Sequence, residues 1–139
     1  MERVPISTQD GAPHGLPFSP SLQVSDGVFL SGQGSINADN EVVGDTIEEQ
    51  TEKTLHNVER LLEAAGCQLA DVVSVLVHLA DLSTFERYNR VYERFFPDPK
   101  PVRTTRRRAA ARWAARRDHR DGSAPDGITL RRLPPIIAD

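Results

Sequence analysis

The strongest constraint on this chain is the run at residues 72–79, Val-Val-Ser-Val-Leu-Val-His-Leu, six of them aliphatic. A run that apolar and β-branched belongs in the middle of a sheet, covered on both faces. Helical patterns flank it on both sides. Before it, Ile47, Thr51, Thr54, Leu55, Val58, Leu61, Leu62 and Ala65 recur at helical spacing, with Glu48, Glu49, Glu52, Arg60 and Glu63 on the wet face. Thr46 or Asp45 caps this helix, Glu49 stands at capping-box spacing from Thr46, and Gly66 ends it as a C′ residue. After the run, Ser83 and Glu86 repeat the capping-box spacing. Phe85, Tyr88, Val91, Tyr92 and Phe95 then make a helical stripe that stops at Pro97 and reads as core.

Two short strands precede the first helix. Leu22-Gln23-Val24 and Val28-Phe29-Leu30 are joined at Ser25-Asp26-Gly27, where Gly27 is expected to supply the positive φ of a hairpin turn. Ser31-Gly32-Gln33-Gly34 is a strand end with exposed backbone, and residues 37–44 are a polar loop. The stiff connector at 97–101, with three prolines, leads into Val102-Arg103-Thr104-Thr105, the start of another strand. Residues 1–15 are polar and broken by Pro and Gly, with no apolar signal region. No run in the chain approaches the ~20 apolar residues of a membrane helix. The order strand, strand, helix, strand, helix, strand predicts an α/β (α+β) protein, a single mainly antiparallel sheet with two helices on one face.

At 139 residues there is room for one domain. The single cysteine, Cys67, excludes a disulfide framework and a Cys-rich zinc site, and suits a reducing, cytoplasmic setting. It follows a helix end and reads as a small packed residue. His14, His56, His78 and His119 share no ligand spacing, so no metal is expected, and His78 reads as a core or interface histidine.

Charge divides the chain abruptly. Residues 1–105 hold 8 Lys+Arg against 16 Asp+Glu, whereas residues 106–139 hold 9 Arg against 4 Asp. Residues 106–117 form an Arg/Ala tract containing Trp113, and residues 122–139 are broken by Pro and Gly and read as shapeless. Arginines with a stacking Trp superficially suit nucleic acid. GC-rich DNA read out of frame yields Arg and Ala equally well, so nucleic acid is not the expected partner.

Four blocks in order resemble the RidA/YjgF family. They are Val28-Phe29-Leu30-Ser31-Gly32-Gln33, the helix from Thr54-Leu55-His56-Asn57-Val58 to Gly66, the segment 85–96, and Pro101-Val102-Arg103-Thr104-Thr105. The resemblance covers about residues 4 to 105 and implies a chorismate-mutase-like fold, a homotrimer with sites between subunits, and no cofactor. It implies hydrolytic deamination of reactive enamine/imine intermediates, of the 2-aminoacrylate type, to a 2-keto acid and ammonia. Arg103 matches the arginine that holds the substrate carboxylate, which suits a guanidinium fork. Ser31, Gly32, Phe18 and Thr105 match positions lining the same cleft, Phe18 where many members have tyrosine and Thr105 where some have cysteine. Phe18 taken alone reads as a core ring. Arg103 taken alone reads as a surface ion-pair partner.

The resemblance gives out after Thr105. Members continue with a Val-Gly-Ala-like start and end on a strand of the form Leu-Val-Glu-Ile-x-Ala, which carries a water-orienting glutamate. The printed tail has neither. Read one base later with its arginines written CGN, the tail permits Val-Gly-Ala, forces a glycine across Trp113 and Ala114, then permits Leu-Leu-Val-Glu-Ile-Thr-Ala. The expected organisation is a RidA/YjgF-like domain over 1–105 and an out-of-frame replacement of the last strands over 106–139, with one sheet strand lost and an open edge left. The competing reading is a non-catalytic trimer of the same fold that binds small carboxylates or a partner protein.

Overall fold

The structure is a computed structural model and describes residues 1–8, 17–107 and 127–131. Its strands are β1 (Arg3–Ile6), β2 (Ser21–Val24), β3 (Gly27–Leu30), β4 (Ser74–Leu79), β5 (Val102–Arg107) and β6 (Gly127–Arg131). Its helices are α1 (Ile47–Ala64) and α2 (Phe85–Phe95). The six strands form one sheet in the order β1-β2-β3-β6-β4-β5, antiparallel except for the parallel pair β4/β5. Among the described residues, no helix is long and apolar enough to cross a membrane.

Both helices cover the same face. Alternation along the strands turns Val28, Leu30, Val75, Val77 and Leu79 into one cluster with Leu55, Val58, Leu61 and Leu62 of α1 and Tyr88 and Tyr92 of α2. Among the described residues, no helix lies over the opposite face. There Ser74, Leu76 and His78 are half-buried, so β4 is central but apolar-packed on one side only. The strand also begins two residues later than the aliphatic run. Val73 is left 39% exposed, and its carbonyl accepts from Val102 N–H at 3.0 Å.

Helix α1 forms where its local signals place it. The Thr46 hydroxyl accepts from Glu49 N–H at 3.2 Å, and the Glu49 carboxylate accepts from Thr46 N–H at 3.3 Å. Gly66, at φ +72°, takes the left-handed turn after the C-cap Ala65. Its apolar stripe is buried, and Gln50 and Asn57 are buried with it. Helix α2 starts differently from the Ser83 capping box. Asp81 Oδ1 accepts from Ser83 N–H at 2.9 Å, and a 3-10 turn, Leu82–Thr84, precedes the helix. Thr84 makes no side-chain cap. The Asp81 carboxylate reaches the backbone first, as Asp side chains do in turns.

Four further expectations are corrected. The hairpin turn places the positive φ at Ser25 (52°), and Gly27 is the first residue of β3, paired with Val24. Within the polar N-terminal stretch lies β1, an edge strand that tolerates Pro5 because its outer side needs no ladder hydrogen bond. Strand β5 runs through Arg106 and Arg107, two residues into the basic tract. Finally, the sheet keeps a strand between β3 and β4. Residues 127–131 fill that slot, pairing with β4 over five positions and with β3 at Phe29 and Arg131 alone. The rest of the tail, residues 108–126 and 132–139, and His14 lie outside the described residues.

Two glycines with positive φ separate backbone strain from crowding. A Cβ on Gly66 would meet nothing within 4 Å, whereas one on Gly44 (φ +93°) would lie 3.0 Å from Glu49 Cβ and 3.2 Å from Gln50 N. Gly66→Ala should cost about 1 kcal/mol of strain. Gly44→Ala should cost clearly more, since α1 itself must shift. Equal shifts of the urea midpoint would contradict this account.

Candidate functional site

Arg103 lies on β5 in register with Val75 of β4, so it points to the helix-covered face at the sheet's edge. Alternation puts Thr105 on the same face, partly buried, while Val102, Thr104 and Arg106 take the other. The Arg103 guanidinium carbon sits 4.6 Å from the Tyr92 ring centroid, 5.5 Å from Phe85 and 5.9 Å from Tyr88. Rings at these distances attract a cation through their quadrupoles. Among the described residues no hydrogen bond or ion pair holds the guanidinium, so the surface ion-pair reading does not describe it. Its in-plane N–H donors are available to an anion.

Two carboxylates, Asp81 and Glu48, are engaged by other groups. Asp81 is held below the usual carboxylate range by the Ser83 backbone N–H first, then the Ser83 side chain, with a small contribution from Arg107. Glu48 is lowered chiefly by its paired hydrogen bonds to Arg87, at 2.7 Å each, which join α1 to α2. Burial pushes the Tyr92 phenol up to about 12, against a smaller lowering by Arg103. Tyr92 is therefore a neutral ring beside the guanidinium.

The other expected site residues gather at a separate corner. Ser31 follows β3; its hydroxyl donates to Ser19 O at 2.6 Å and its N–H to Pro20 O at 2.8 Å. These bonds fasten the segment carrying Phe18 beside Ser31 and Gly32. Phe18 is 54% exposed, which overturns its reading as a core ring. Gly32 stands in open space. Between this corner and Arg103 lie β6 and β4, three strand spacings or about 14 Å. One chain thus brings Phe18, Ser31 and Gly32 together, and Arg103 and Thr105 together, and keeps the two groups apart.

The sequence reading missed the aromatic cup. Phe85, Tyr88 and Tyr92 were assigned to the core, and Tyr88 and Tyr92 are indeed buried, yet Phe85 is 37% exposed and all three face Arg103. The available signal was their helical spacing beside a returning strand. Of the histidines, His56 is exposed, edge-on to Phe95 at 5.1 Å, and His78 is half-buried on the uncovered face. Cys67 is buried.

Residues 11–114 match the family model described as Endoribonuclease L-PSP. A RutC family protein of Saccharolobus solfataricus is 43% identical over 90 residues, which is 64% of this chain and 71% of that protein. The chloroplastic Reactive Intermediate Deaminase A of Arabidopsis thaliana is 38% identical over 76% of this chain, which spans 57% of that protein's length. The crystal structure of RidA from an Antarctic Psychrobacter superposes with a TM-score of 0.78 at 26% identity, covering 92% of this chain and 97% of that one. The chain belongs to the RidA/YjgF family, whose fold it shares.

The Tyr92 environment has a consequence at high pH. The folded phenol binds its proton more tightly than the unfolded one, so stability is intact below pH 10 and falls as pH rises from 10 toward about 12. Thermal melts across that range should show the fall in the wild type and a smaller one in Tyr92→Phe.

Proposed function

We propose that this protein is a hydrolytic deaminase of reactive enamine/imine intermediates of the 2-aminoacrylate type, releasing a 2-keto acid and ammonia in the cytoplasm. The observation that carries the reading is the uncommitted Arg103 guanidinium in its aromatic cup. A relative named Reactive Intermediate Deaminase A supports it. The substrate carboxylate takes a bidentate seat on Arg103. Water oxygen adds to the imine carbon, the nitrogen gathers protons, and the C–N bond breaks to leave carbonyl and ammonia. The imine is already electrophilic, so no cofactor is required. A guanidinium beside the carboxylate orients the reacting carbon and lowers the substrate's entropic barrier.

The two halves of the site become one if they meet across subunits. The uncovered sheet face supports this. Val102 is 70% and Phe29 38% exposed there, next to half-buried Leu22, Val24 and Leu76. An apolar sheet face of that kind is covered in an oligomer. We take the assembly to be a homotrimer. Light scattering should give three times the 15.4 kDa chain mass, and Phe29→Glu should lower both that mass and turnover.

A second reading has its own support. Strand β6, Gly-Ile-Thr-Leu-Arg, carries no carboxylate, and Phe18 has no hydroxyl. One positioned acid/base group is typically worth about 10²- to 10⁴-fold. A trimer without it would bind small carboxylates or a partner protein. The division into a family-like domain over 1–105 and an out-of-frame tail over 106–139 accounts for the missing carboxylate. The intact mass of the natural protein distinguishes the two tails.

Ketoacid release from 2-aminoacrylate generated in situ tests the deaminase. Arg103→Ala should lower kcat/KM by roughly 30- to 4,000-fold, from about 2–5 kcal/mol for a desolvated charge left unpaired. Arg103→Lys should recover little, since an ammonium lacks the planar fork. Near-normal turnover in Arg103→Ala would remove the reading.

A further inference from the structure

Between Ser31 and Gly44 the chain forms a loop whose two arms touch at Ile36 and Val42. Its own side chains tie the arms to each other: buried Ser35 donates its hydroxyl to Val43 O and accepts Val43 N–H at its carbonyl at 2.9 Å. Gly32 has no neighbour within 4 Å of where a Cβ would be. Gln33 is buried, but its amide turns back on the chain and donates to Ser31 O at 3.1 Å. The fastening to the protein interior comes from α1. Asn57, 2% exposed, donates from Nδ2 to Gly34 O at 3.0 Å and to Ile36 O at 2.9 Å. Both hydrogens of that nitrogen are spent on two carbonyls of one arm, two and four residues beyond Gly32.

The amide is retained at a cost. Asn57 Oδ1 is buried and has no hydrogen-bond partner among the described residues. An aliphatic residue at this position of the buried stripe would leave no such orphan, but it would release both carbonyls. About two turns earlier, Gln50 does the parallel job at the loop's far end, donating from Nε2 to Gly44 O at 3.0 Å. Gln50 is equally buried and also leaves its Oε1 unpartnered among the described residues. The two amides differ in what they hold. Gln50 holds the approach to α1, and Asn57 holds the arm that bears Ser31 and Gly32.

We propose that Asn57 is a positioning residue for the substrate site: its amide clamps the Gly34 and Ile36 carbonyls and so sets the corner formed by Ser31 and Gly32. The chain of contacts continues outward. The Ser31 hydroxyl and N–H hold Ser19 and Pro20, so the clamp also governs where Phe18 stands. This inference rests on the reading that Ser31 and Gly32 line the site, and it extends that site into the helix layer.

Asn57→Leu and Gln50→Leu make a matched pair, each removing one buried amide from the same helix face. Asn57→Ala serves if the leucine overpacks. Backbone order parameters from ¹⁵N relaxation should drop at Gly32 and Gly34 in the Asn57 variants and hold in Gln50→Leu. KM for 2-aminoacrylate should rise about fivefold or more in the Asn57 variants, with kcat within about twofold, because a ground-state contact is lost. Gln50→Leu should leave KM near the wild-type value at a similar cost in stability. Unchanged order at Gly32 in both Asn57 variants, or an equal KM rise in Gln50→Leu, overturns the proposal. A wild-type protein without turnover overturns the deaminase reading alone, and the order parameters at Gly32 then decide the role of Asn57.

Discussion

Everything in this fold is built onto one face of β4. Val75, Val77 and Leu79 are the buried teeth of that strand, and α1 and α2 close over them. The same strand is hydrogen-bonded on both edges, to β5 and to β6. Fully burying a Val or Leu side chain contributes about 1.5–3 kcal/mol. Three such residues on a strand that also carries two ladders make it the element whose loss would dissolve both the core and the sheet. The functional edge inherits its geometry from this arrangement. Arg103 faces α2 because it is in register with Val75, and a one-residue slip would turn it to the uncovered face.

The electrostatics of the site are those of a charge left over. Two carboxylates at the ends of the helix layer are spent elsewhere, Glu48 on Arg87 and Asp81 on the Ser83 turn. Arg103 receives aromatic faces instead. Rings stabilise a guanidinium without occupying its hydrogen-bonding edge, so the half-buried cation keeps its donors for an anion. That combination makes the surroundings of this one arginine different from those of an arginine in a salt bridge.

Much of the fold could be read from local sequence, and its failures have physical causes. Helix α1 was legible because its cap, stripe and terminating glycine all agree over consecutive residues. Strand β1 was not, because three exposed residues including Pro5 and a half-buried Ile6 carry no alternation. The start of α2 was misplaced because two side chains, Asp81 and Ser83, could each serve the same backbone, and Asp81 prevailed. Arg103, Ser31 and Gly32 became candidates through family resemblance. Their separation on one chain was not visible until strand order was known. The aromatic cup joins a helix to a strand beyond a proline-rich connector, and sequence spacing does not report such a meeting. Gln50 and Asn57 looked like polar gaps in an apolar stripe, and only the loop carbonyls they hold explain them.

The position of β6 has a consequence for how the molecule is made. Among the described residues it is the last strand in sequence and the fourth across the sheet, between β3 and β4. As the polypeptide leaves the ribosome, the β1–β3 meander and the β4–α2–β5 unit emerge first, with a gap between them that only α1 bridges. Closing that gap is the final, longest-range event of assembly, and long-range closure is the slow part of folding. Until it happens, two strand edges stand open to any other chain nearby. With β3 and β6 meeting at a single residue pair, that seam is also where the finished sheet would first part. The protein is thus a structure completed from its middle by its end, and its nascent form is the one that most needs a chaperone's cover.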